Sequence, residues 1–329
     1  MIKRTSFILA DGFIPYRNQA VEEYLMMNTE PETCTLYLWQ NQRTVVIGRN
    51  QNVRGECRAE LLEREGGYLA RRLSGGGAVF HDMGNINFSF FASDPDYSVA
   101  RQQKVILGAV RSFGLDAELS GRNDITVGGQ KFSGNAFISS GTKHCHHGTL
   151  LISADTSDMG RYLSVPKDKL ESKGVRSVRS RVVNLAELNG AITVESITEA
   201  LLQAFEEEYK SVPREVKVSE LDSALLDSLT EKFASPSWRF ETEPDFMMRK
   251  SGRFSWGGAE LCFKVSCGKT VNVRLFTDAM DPSLSLTAEQ ALTGVTFSAE
   301  ALKFALFAAN TTEEQRQMLE DISSLVTEA

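Results

Sequence analysis

The order of strand-like and helix-like segments predicts an α+β protein: antiparallel sheets flanked by helices, plus a small C-terminal α+β domain. Three observations carry that prediction. Alternating segments come in hairpins, as where Ile86, Phe88 and Phe90 alternate with Asn87 and Ser89. Helical segments fall between such groups instead of following every strand, so regular βαβ alternation is absent. Finally, Ser235-Pro236-Ser237 and Glu243-Pro244-Asp245 place two prolines in a short interval. They divide the chain into expected domains of 1–247 and 248–329.

Pro15 reads as the first-turn proline of a helix over Tyr16–Met27, with Glu22 and Glu23 on its polar side. Thr35–Trp39 and Thr44–Gly48 are strand-like, joined at Asn41-Gln42. Cys57–Glu65 reads as a polar helix ended by Gly66-Gly67, and Val99–Phe113 as a helix stopped by Gly114. Strands fill Asp124–Ser153. Helices follow over Ile192–Tyr209 and Ser219–Ala234. In the second domain Glu260–Ser266 and Thr270–Thr277 are strands, followed by helical stretches from Ala288 and from Glu313.

The chain has 329 residues, 42% hydrophobic and 24% charged, the composition of an ordinary globular protein. Lys and Arg number 36 against 43 Asp and Glu, a net charge of −7 that argues against nucleic-acid binding. No apolar run approaches the roughly 20 residues a membrane helix needs. The apolar piece Phe7–Ala10 is too short for a secretory signal. Five irregularly spaced cysteines fit free thiols in a reducing compartment, so the cytoplasm is expected.

The segment most suggestive of chemistry is Arg71-Arg72-Leu73-Ser74-Gly75-Gly76-Gly77-Ala78-Val79-Phe80-His81-Asp82-Met83-Gly84-Asn85. A triple-glycine run lets backbone lie flat against a ligand, and two arginines beside it suggest an anion. No Gly-Lys-Ser/Thr follows, so this is not a P-loop, and the dinucleotide fingerprint is absent. A glycine-rich hairpin without a ligand is the alternative. Further on, Gly121-Arg122-Asn123-Asp124 precedes a short strand, and Gly128-Gly129 turns the chain into Gln130-Lys131-Phe132-Ser133-Gly134-Asn135. In a regular strand Lys131, Ser133 and Asn135 share a face. His144-Cys145-His146-His147-Gly148-Thr149 then leads into Leu150-Leu151-Ile152.

In this order, R-R-x-S-G-G-G-A-V-F-H-D-x-G-N, G-R-N-D, K-x-S-G-x-A and H-H-G-T-L-L resemble the lipoate–protein ligase A family. Lys173–Leu185 resembles that family's loop over the acyl-adenylate, and Phe254–Leu261 the opening of its small C-terminal domain. The resemblance runs from Phe13 to about Phe276. It implies a biotin-ligase-like, class II synthetase-like catalytic domain that activates lipoate with ATP. Lipoyl-AMP would form, and a lysine of a lipoyl domain would then attack it. Acceptors would be 2-oxoacid dehydrogenase complexes and the glycine cleavage H protein, with Mg²⁺ accompanying ATP and the enzyme a monomer.

Both steps build negative charge on oxygens and need positive donors aimed at them. Lys131 is the first choice for the catalytic donor. For ATP and the adenylate the family pattern implies Arg72, Gly75, Gly76, Gly77, Ala78, Val79, Phe80, Asn85, Asn123, Asp124, Lys131, Ser180 and Arg181. Arg71, its neighbour on a strand, faces the other way. For lipoate it implies Arg72, Lys131, Ser133, Gly134, His147 and Gly148, with Phe137 a candidate lining. Asp124 is either a Mg²⁺ ligand or a turn residue, and Ser74 is a weaker candidate. His81 is either a base or structural. Lys173, Arg176, Arg179 and Arg181 form either a solvated basic loop or a cover over the adenylate. The Val127–Lys131 connection is shorter than the family pattern leads one to expect.

A zinc site at residues 144–147 is disfavoured because contiguous residues do not converge on one ion. One rival on the same fold is an octanoyl transferase acting without ATP through a thioester at Cys145, activated by His144 and His146. Biotin ligase is weaker, since G-R-G-R-x-G is absent. A catalytically silent lipoyl-domain binder is the alternative from another class.

Overall fold

The computed structural model describes residues 1–121, 123–164, 182–240, 246 and 248–326. Two units divide it: Met1–Val46, Arg54–Arg71 and Ala78–Arg239 form one, and Ile47–Val53, Arg72–Gly77 and Phe240–Ala329 the other. The arginine pair is thus split, with Arg71 in the first unit and Arg72 in the second.

The first unit is built on Arg4–Leu9 (β1), Thr33–Trp39 (β2), Thr44–Ile47 (β3), Tyr68–Arg71 (β4), Val79–His81 (β5) and Asn85–Ser93 (β6). Ala117–Ser120 (β7), Asp124–Val127 (β8), Gln130–Ser140 (β9), Lys143–Leu151 (β10) and Arg214–Glu215 (β11) follow. An eight-stranded sheet runs β11-β1-β2-β6-β10-β9-β8-β7, and β4-β3-β5 form a smaller one. The large sheet is antiparallel from β2 to β7, while β1 runs parallel to both β2 and β11. A βαβ unit therefore opens an otherwise antiparallel sheet. Strand β1 was not anticipated, because its alternation is interrupted by Thr5 and Ser6.

Helices cover both faces of the large sheet. Pro15–Met27 (α1) starts with proline at its first turn, as its sequence predicts, and packs with Ser223–Ala234 (α4). Val99–Arg111 (α2) is capped by Ser98, whose side chain accepts from Arg101 N. Gly114 ends it with φ 77°, a conformation that favours glycine. Val194–Tyr209 (α3) starts at Thr193 with a reciprocal cap through Ser196. The expected helix at 57–65 is present as the shorter Ala59–Arg64, and a separate short helix, Val53–Glu56, precedes it.

On one face, Phe88, Phe90 and Leu150 of the sheet bury against Ile106 and Val110 of α2 and Leu201 and Phe205 of α3. On the other, Tyr37, Trp39, Phe91 and Cys145 bury against Val21 and Met26 of α1 and Leu226 of α4. Helix α1 also buries Asn18, Gln19 and Glu22. Buried polar groups need partners, and Asn18 and Glu22 find theirs on the sheet, at Tyr37 and at Ser89 and His147.

In the second unit, Met248–Phe254 (β12), Gly257–Ser266 (β13) and Lys269–Thr277 (β14) make a three-stranded antiparallel sheet. Leu284–Leu292 (α5), Ala299–Phe307 (α6) and Glu313–Ser323 (α7) complete it. Leu261, Phe263, Leu275, Leu302 and Leu319 sit in its core. Strand β12 and helix α6 are elements the sequence pattern did not reveal.

Candidate active site

The hairpin β8–β9 carries Lys131. Its two-residue turn is Gly128-Gly129, with φ of 57° and 77° and Val127 paired to Gln130. Two consecutive positive-φ residues suit the twist of a tight hairpin, which explains both glycines and the short connection. Two residues on, the register slips: Ile125 pairs with Ser133 but Thr126 pairs with Lys131, leaving Phe132 as an extra residue. Such a bulge re-aims the side chains on either side of it.

The bulge overturns the simple alternation expected for Lys131, Ser133 and Asn135. Ser133 pairs with Leu150, and Asn135 with Gly148, so both face the core that holds Phe88 and Phe132. Lys131 lies on the opposite face. A Cβ built on Gly134 would stand 3.0 Å from Lys131 Nζ, so the lysine stem crosses that glycine. Its Nζ meets Asp124 Oδ1 at 2.7 Å, with both side chains 36% exposed. Gly134 is paired with Asp124 across the hairpin, which explains why the two charges meet.

The face that carries Lys131 can be followed across the sheet through directly opposed residues. One row is Trp39, Asn87, Thr149, Gly134 and Asp124, and the next is Tyr37, Ser89, His147 and Ala136. A third runs Thr35, Phe91, Cys145 and Ile138. Glu22 of α1 reaches down to this face. It accepts hydrogen bonds from Ser89 Oγ at 2.6 Å and pairs with His147 Nδ1 at 2.7 Å, while Trp39 Nε1 donates to Ser89 Oγ at 3.0 Å. Glu22 and Trp39 are site-face residues that motif reading missed. Their signal was weak: a lone acid on a helix and a lone aromatic on a strand.

Glu22, Cys145 and His147 bring a carboxylate oxygen, a thiol sulfur and a ring nitrogen within 4.8 Å of one another, all buried. Period two on β10 puts Cys145 and His147 on one face, and the third member comes from another element, so the contiguity objection to a metal does not apply to this trio. The carboxylate is already hydrogen-bonded by Ser89 and His147, which satisfies the cluster without an ion. Cys145 is poorly suited to thioester chemistry. Burial, and then the Glu22 charge, push its thiol well above its ordinary range. The expected activators do not serve it, for His146 projects into the opposite core. His144 turns to Ser139 Oγ at 2.7 Å and Asp94 Oδ1 at 3.1 Å.

Other expected residues hold the framework. Asn85 Oδ1 accepts from Asp82 N at 2.8 Å and its Nδ2 donates to Asn87 Oδ1, so it closes the turn before β6. Asn123 Nδ2 donates to Asn135 O, and Asn135 Nδ2 donates to Asn123 O. His81 is buried in a polar chain through Asn41, Asn18 and the hydroxyl of Tyr37, which suits its structural alternative. Gly148 stands on the core face, where a Cβ would be 2.6 Å from Phe88 Cζ and 2.7 Å from Gly134 O. Ser133 is likewise buried there, and its hydroxyl makes no hydrogen bond among the described residues. Neither side-chain position shares a face with Lys131 and His147. Phe137 also faces the core, stacked on His146. Phe80 stacks on Tyr162, with Ala78 and Val79 half-buried before it.

The two arginines do different things. Arg71 is 1% exposed; its Nε donates to Trp238 O and Arg239 O, and Trp238 Nε1 returns a bond to Arg71 O at 2.8 Å. Within the second unit, Arg72 wraps its own loop: Nε donates to Ser74 Oγ, and Nη2 to Gly75 O at 2.6 Å and Gly77 O at 2.8 Å. The guanidinium thereby draws the loop carbonyls inward. Gly75 and Gly76 are pressed against protein, with Gly76 N bonded to Ala279 O and a Cβ on Gly75 falling 2.2 Å from Ala279 O. Gly77 alone of the three is exposed, with nothing within 4 Å of its would-be Cβ. Two of the three glycines thus serve protein packing where a ligand was expected.

Arg122, Ser180 and Arg181, with Lys173, Arg176 and Arg179 of the basic segment, lie outside the described residues. The second unit also has a cavity of about 210 Å³ lined by Arg49, Asn50, Arg274, Phe276, Ser283 and Leu286 among others; it includes none of the expected residues. No helix among the described residues is long and apolar enough to cross a membrane.

Two family profiles match the chain: the lipoyl protein ligase A/B catalytic domain over residues 14–206 and the bacterial lipoate protein ligase C-terminus over 243–325. Lipoate-protein ligase A of Psychrobacter cryohalolentis is 39% identical over 297 residues, 88% of each chain. The structure of P. falciparum LipL1 in complex with lipoate superposes with a TM-score of 0.85 at 27% identity, covering 98% of this chain and 99% of that one. A lipoate-protein ligase A bound with ATP matches 73% of this chain and 99% of its own, with TM-score 0.63 and 25% identity.

Proposed function

This chain belongs to the lipoate–protein ligase family and is a ligase of that kind, and from that premise we propose that it works through an acyl-adenylate. A carboxylate oxygen of lipoate attacks the α-phosphorus of ATP, pyrophosphate leaves, and lipoyl-AMP forms. The amine of an acceptor lysine then attacks the acyl carbon, loses a proton, and AMP departs. Lipoyl domains of 2-oxoacid dehydrogenase complexes and the glycine cleavage H protein are the acceptors in this reading. It is supported by family membership and by the relatives described with ATP and with lipoate.

The observation that carries the residue assignment is the bulge at Phe132, which turns Lys131 onto the face that bears Gly134, Thr149 and His147. There its ammonium can meet the α-phosphate oxygens in the first step and the acyl oxygen in the second. Both oxygens gain charge in the transition state, and a fixed cation stabilises that charge. In this reading the acyl chain runs from Lys131 past Ala136 toward His147 and Glu22, which share its face of the sheet. Ala78 and Val79 offer the nucleotide an edge, while within the second unit Arg72 holds the glycine loop in shape. Asp124 offers one half-exposed carboxylate, the protein share that Mg²⁺ takes when phosphates supply the rest. Mg²⁺ would neutralise phosphate charge.

The test is ATP–pyrophosphate exchange with lipoate, octanoate or biotin as the acid. Lipoate-dependent exchange is expected. Its absence with every acid, in a folded protein that still receives lipoyl domains, would end the adenylate reading.

A further inference from the structure

Behind the hairpin that carries Lys131 runs a buried polar path that none of the proposed steps uses. It begins at Gln102 on α2, whose amide lies 3.0 Å from His146 Nδ1. His146 Nε2 lies 2.8 Å from Asn135 Oδ1 on β9. Asn135 then grips Asn123 three times: its N and Nδ2 both donate to Asn123 O, and its O accepts from Asn123 Nδ2. The residue after Asn123 is Asp124, the partner of Lys131. Gln102 and His146 are fully buried and Asn135 is 4% exposed.

The protonation pattern along this path follows from the bonds. Asn135 Nδ2 is committed to Asn123 O, so its Oδ1 accepts from an N–H on His146 Nε2. Burial, ahead of repulsion from His147, pushes His146 down to about 3, so the ring is neutral and carries that one proton. Nδ1 must then accept. Gln102 supplies the donor when its amide is turned over, which also satisfies a Gln102 Nε2 that otherwise makes no hydrogen bond among the described residues. Both ring nitrogens of His146 and both side-chain polar atoms of Asn135 are then paired in a single arrangement. The ring is packed by Phe137 at 4.7 Å, Phe88 at 5.5 Å and Phe90 at 6.0 Å. A site walled by three phenylalanines would be filled most simply by an apolar side chain.

We propose that His146 is a positioning residue for adenylation: through Asn135 and Asn123 it fixes the turn that sets Asp124 against Lys131. The inference rests on the adenylate reading above. Buried polar networks with one satisfied arrangement hold their members rigidly, and small displacements at a reacting centre cost large factors in rate. His146 touches no reacting atom in this scheme. Its effect passes wholly through the Asn135–Asn123 clasp.

The test uses the full chain with His146→Leu and His146→Gln, read by lipoate-dependent pyrophosphate exchange and thermal melting. Leucine keeps the apolar volume and breaks the path. Glutamine keeps one donor for Asn135 and one acceptor for Gln102. The expected result for leucine is a folded protein whose melting temperature falls by several degrees, since Asn135 Oδ1 and the Gln102 amide lose their partner, with kcat lowered about tenfold or more and the KM for lipoate within about twofold. Glutamine should restore kcat to within about threefold of wild type. A leucine variant with wild-type kcat, or a glutamine variant as slow as leucine, overturns the proposal. Should leucine fail to fold, Asn135→Ala interrupts the same path by removing both the acceptor of His146 and the side-chain donor to Asn123 O, and unchanged kcat there also overturns it. Absence of exchange in the wild-type protein would instead strike the adenylate reading itself.

Discussion

Replacing Lys131 with methionine separates catalysis from stability. The methionine keeps most of the apolar stem that crosses Gly134, where the lysine Cε would stand 3.1 Å from a Cβ. What is lost is an ion pair to Asp124 at 2.7 Å, between side chains each 36% exposed. Pairs this open to water contribute about 0–1 kcal/mol. In a unit of this size that amounts to a change of about 2–4 °C or less in melting temperature. The catalytic loss has a different scale. Removing one preorganised donor to a developing oxyanion costs about two to three powers of ten, or roughly 2.7–4 kcal/mol. Lys131→Met should therefore melt nearly as wild type yet lose almost all lipoate-dependent pyrophosphate exchange and almost all transfer to a lipoyl domain. Lys131→Arg should recover only part, since a guanidinium is a planar fork where a point charge is needed. Exchange within threefold of wild type in the methionine variant would remove Lys131 from the chemistry, whatever its effect on melting.

Arg71→Leu strips the donors from the Trp238 and Arg239 carbonyls, and stability should fall by about 1–3 kcal/mol in urea titration; an unchanged midpoint would show that the buried guanidinium is dispensable. Gly75→Ala forces a Cβ to within 2.2 Å of Ala279 O and 2.6 Å of Met280 O, so the loop must shift at a cost of about 1–3 kcal/mol. A calorimetric melt unchanged by that substitution would contradict the close approach. Burial raises Cys34 and Cys57 to about 12, above the ordinary thiol range. The folded protein therefore holds protons that the unfolded chain releases near pH 9. Their stabilisation is complete below that pH and declines by about 1.4 kcal/mol per unit per thiol as pH rises toward 12. Replacing both with serine or alanine should flatten the alkaline limb of the stability curve, and an unaltered slope would count against it. At pH 8, iodoacetamide should modify exposed Cys267 and spare buried Cys34, Cys57, Cys145 and Cys262 until the protein unfolds, which mass spectrometry would reveal.

Local chemistry made several elements legible from the chain alone. Pro15 marks the start of α1, Gly114 the end of α2, and Gly128-Gly129 the tight turn of β8–β9, because each requires a backbone geometry that only a short list of residues supplies. The motif order also identified the family, and Lys131 as the first residue to test. Beyond that, spacing misled. Period two placed Lys131 with Ser133 and Asn135, whereas one extra residue at Phe132 reverses the face, and a bulge depends on how two strands settle against each other. The glycine run signalled close approach without saying to what. In the folded chain Gly75 and Gly76 approach Ala279 and Met280, some 200 positions away in sequence. Glu22 and Trp39 carried no motif at all, and the polar path from Gln102 to Asn123 joins four segments. What sequence determined here are features set by one residue and its immediate neighbours. Which face a side chain takes, and which distant partner satisfies it, only the tertiary structure decided, since buried polar groups and packed backbones find their partners across the chain and not along it.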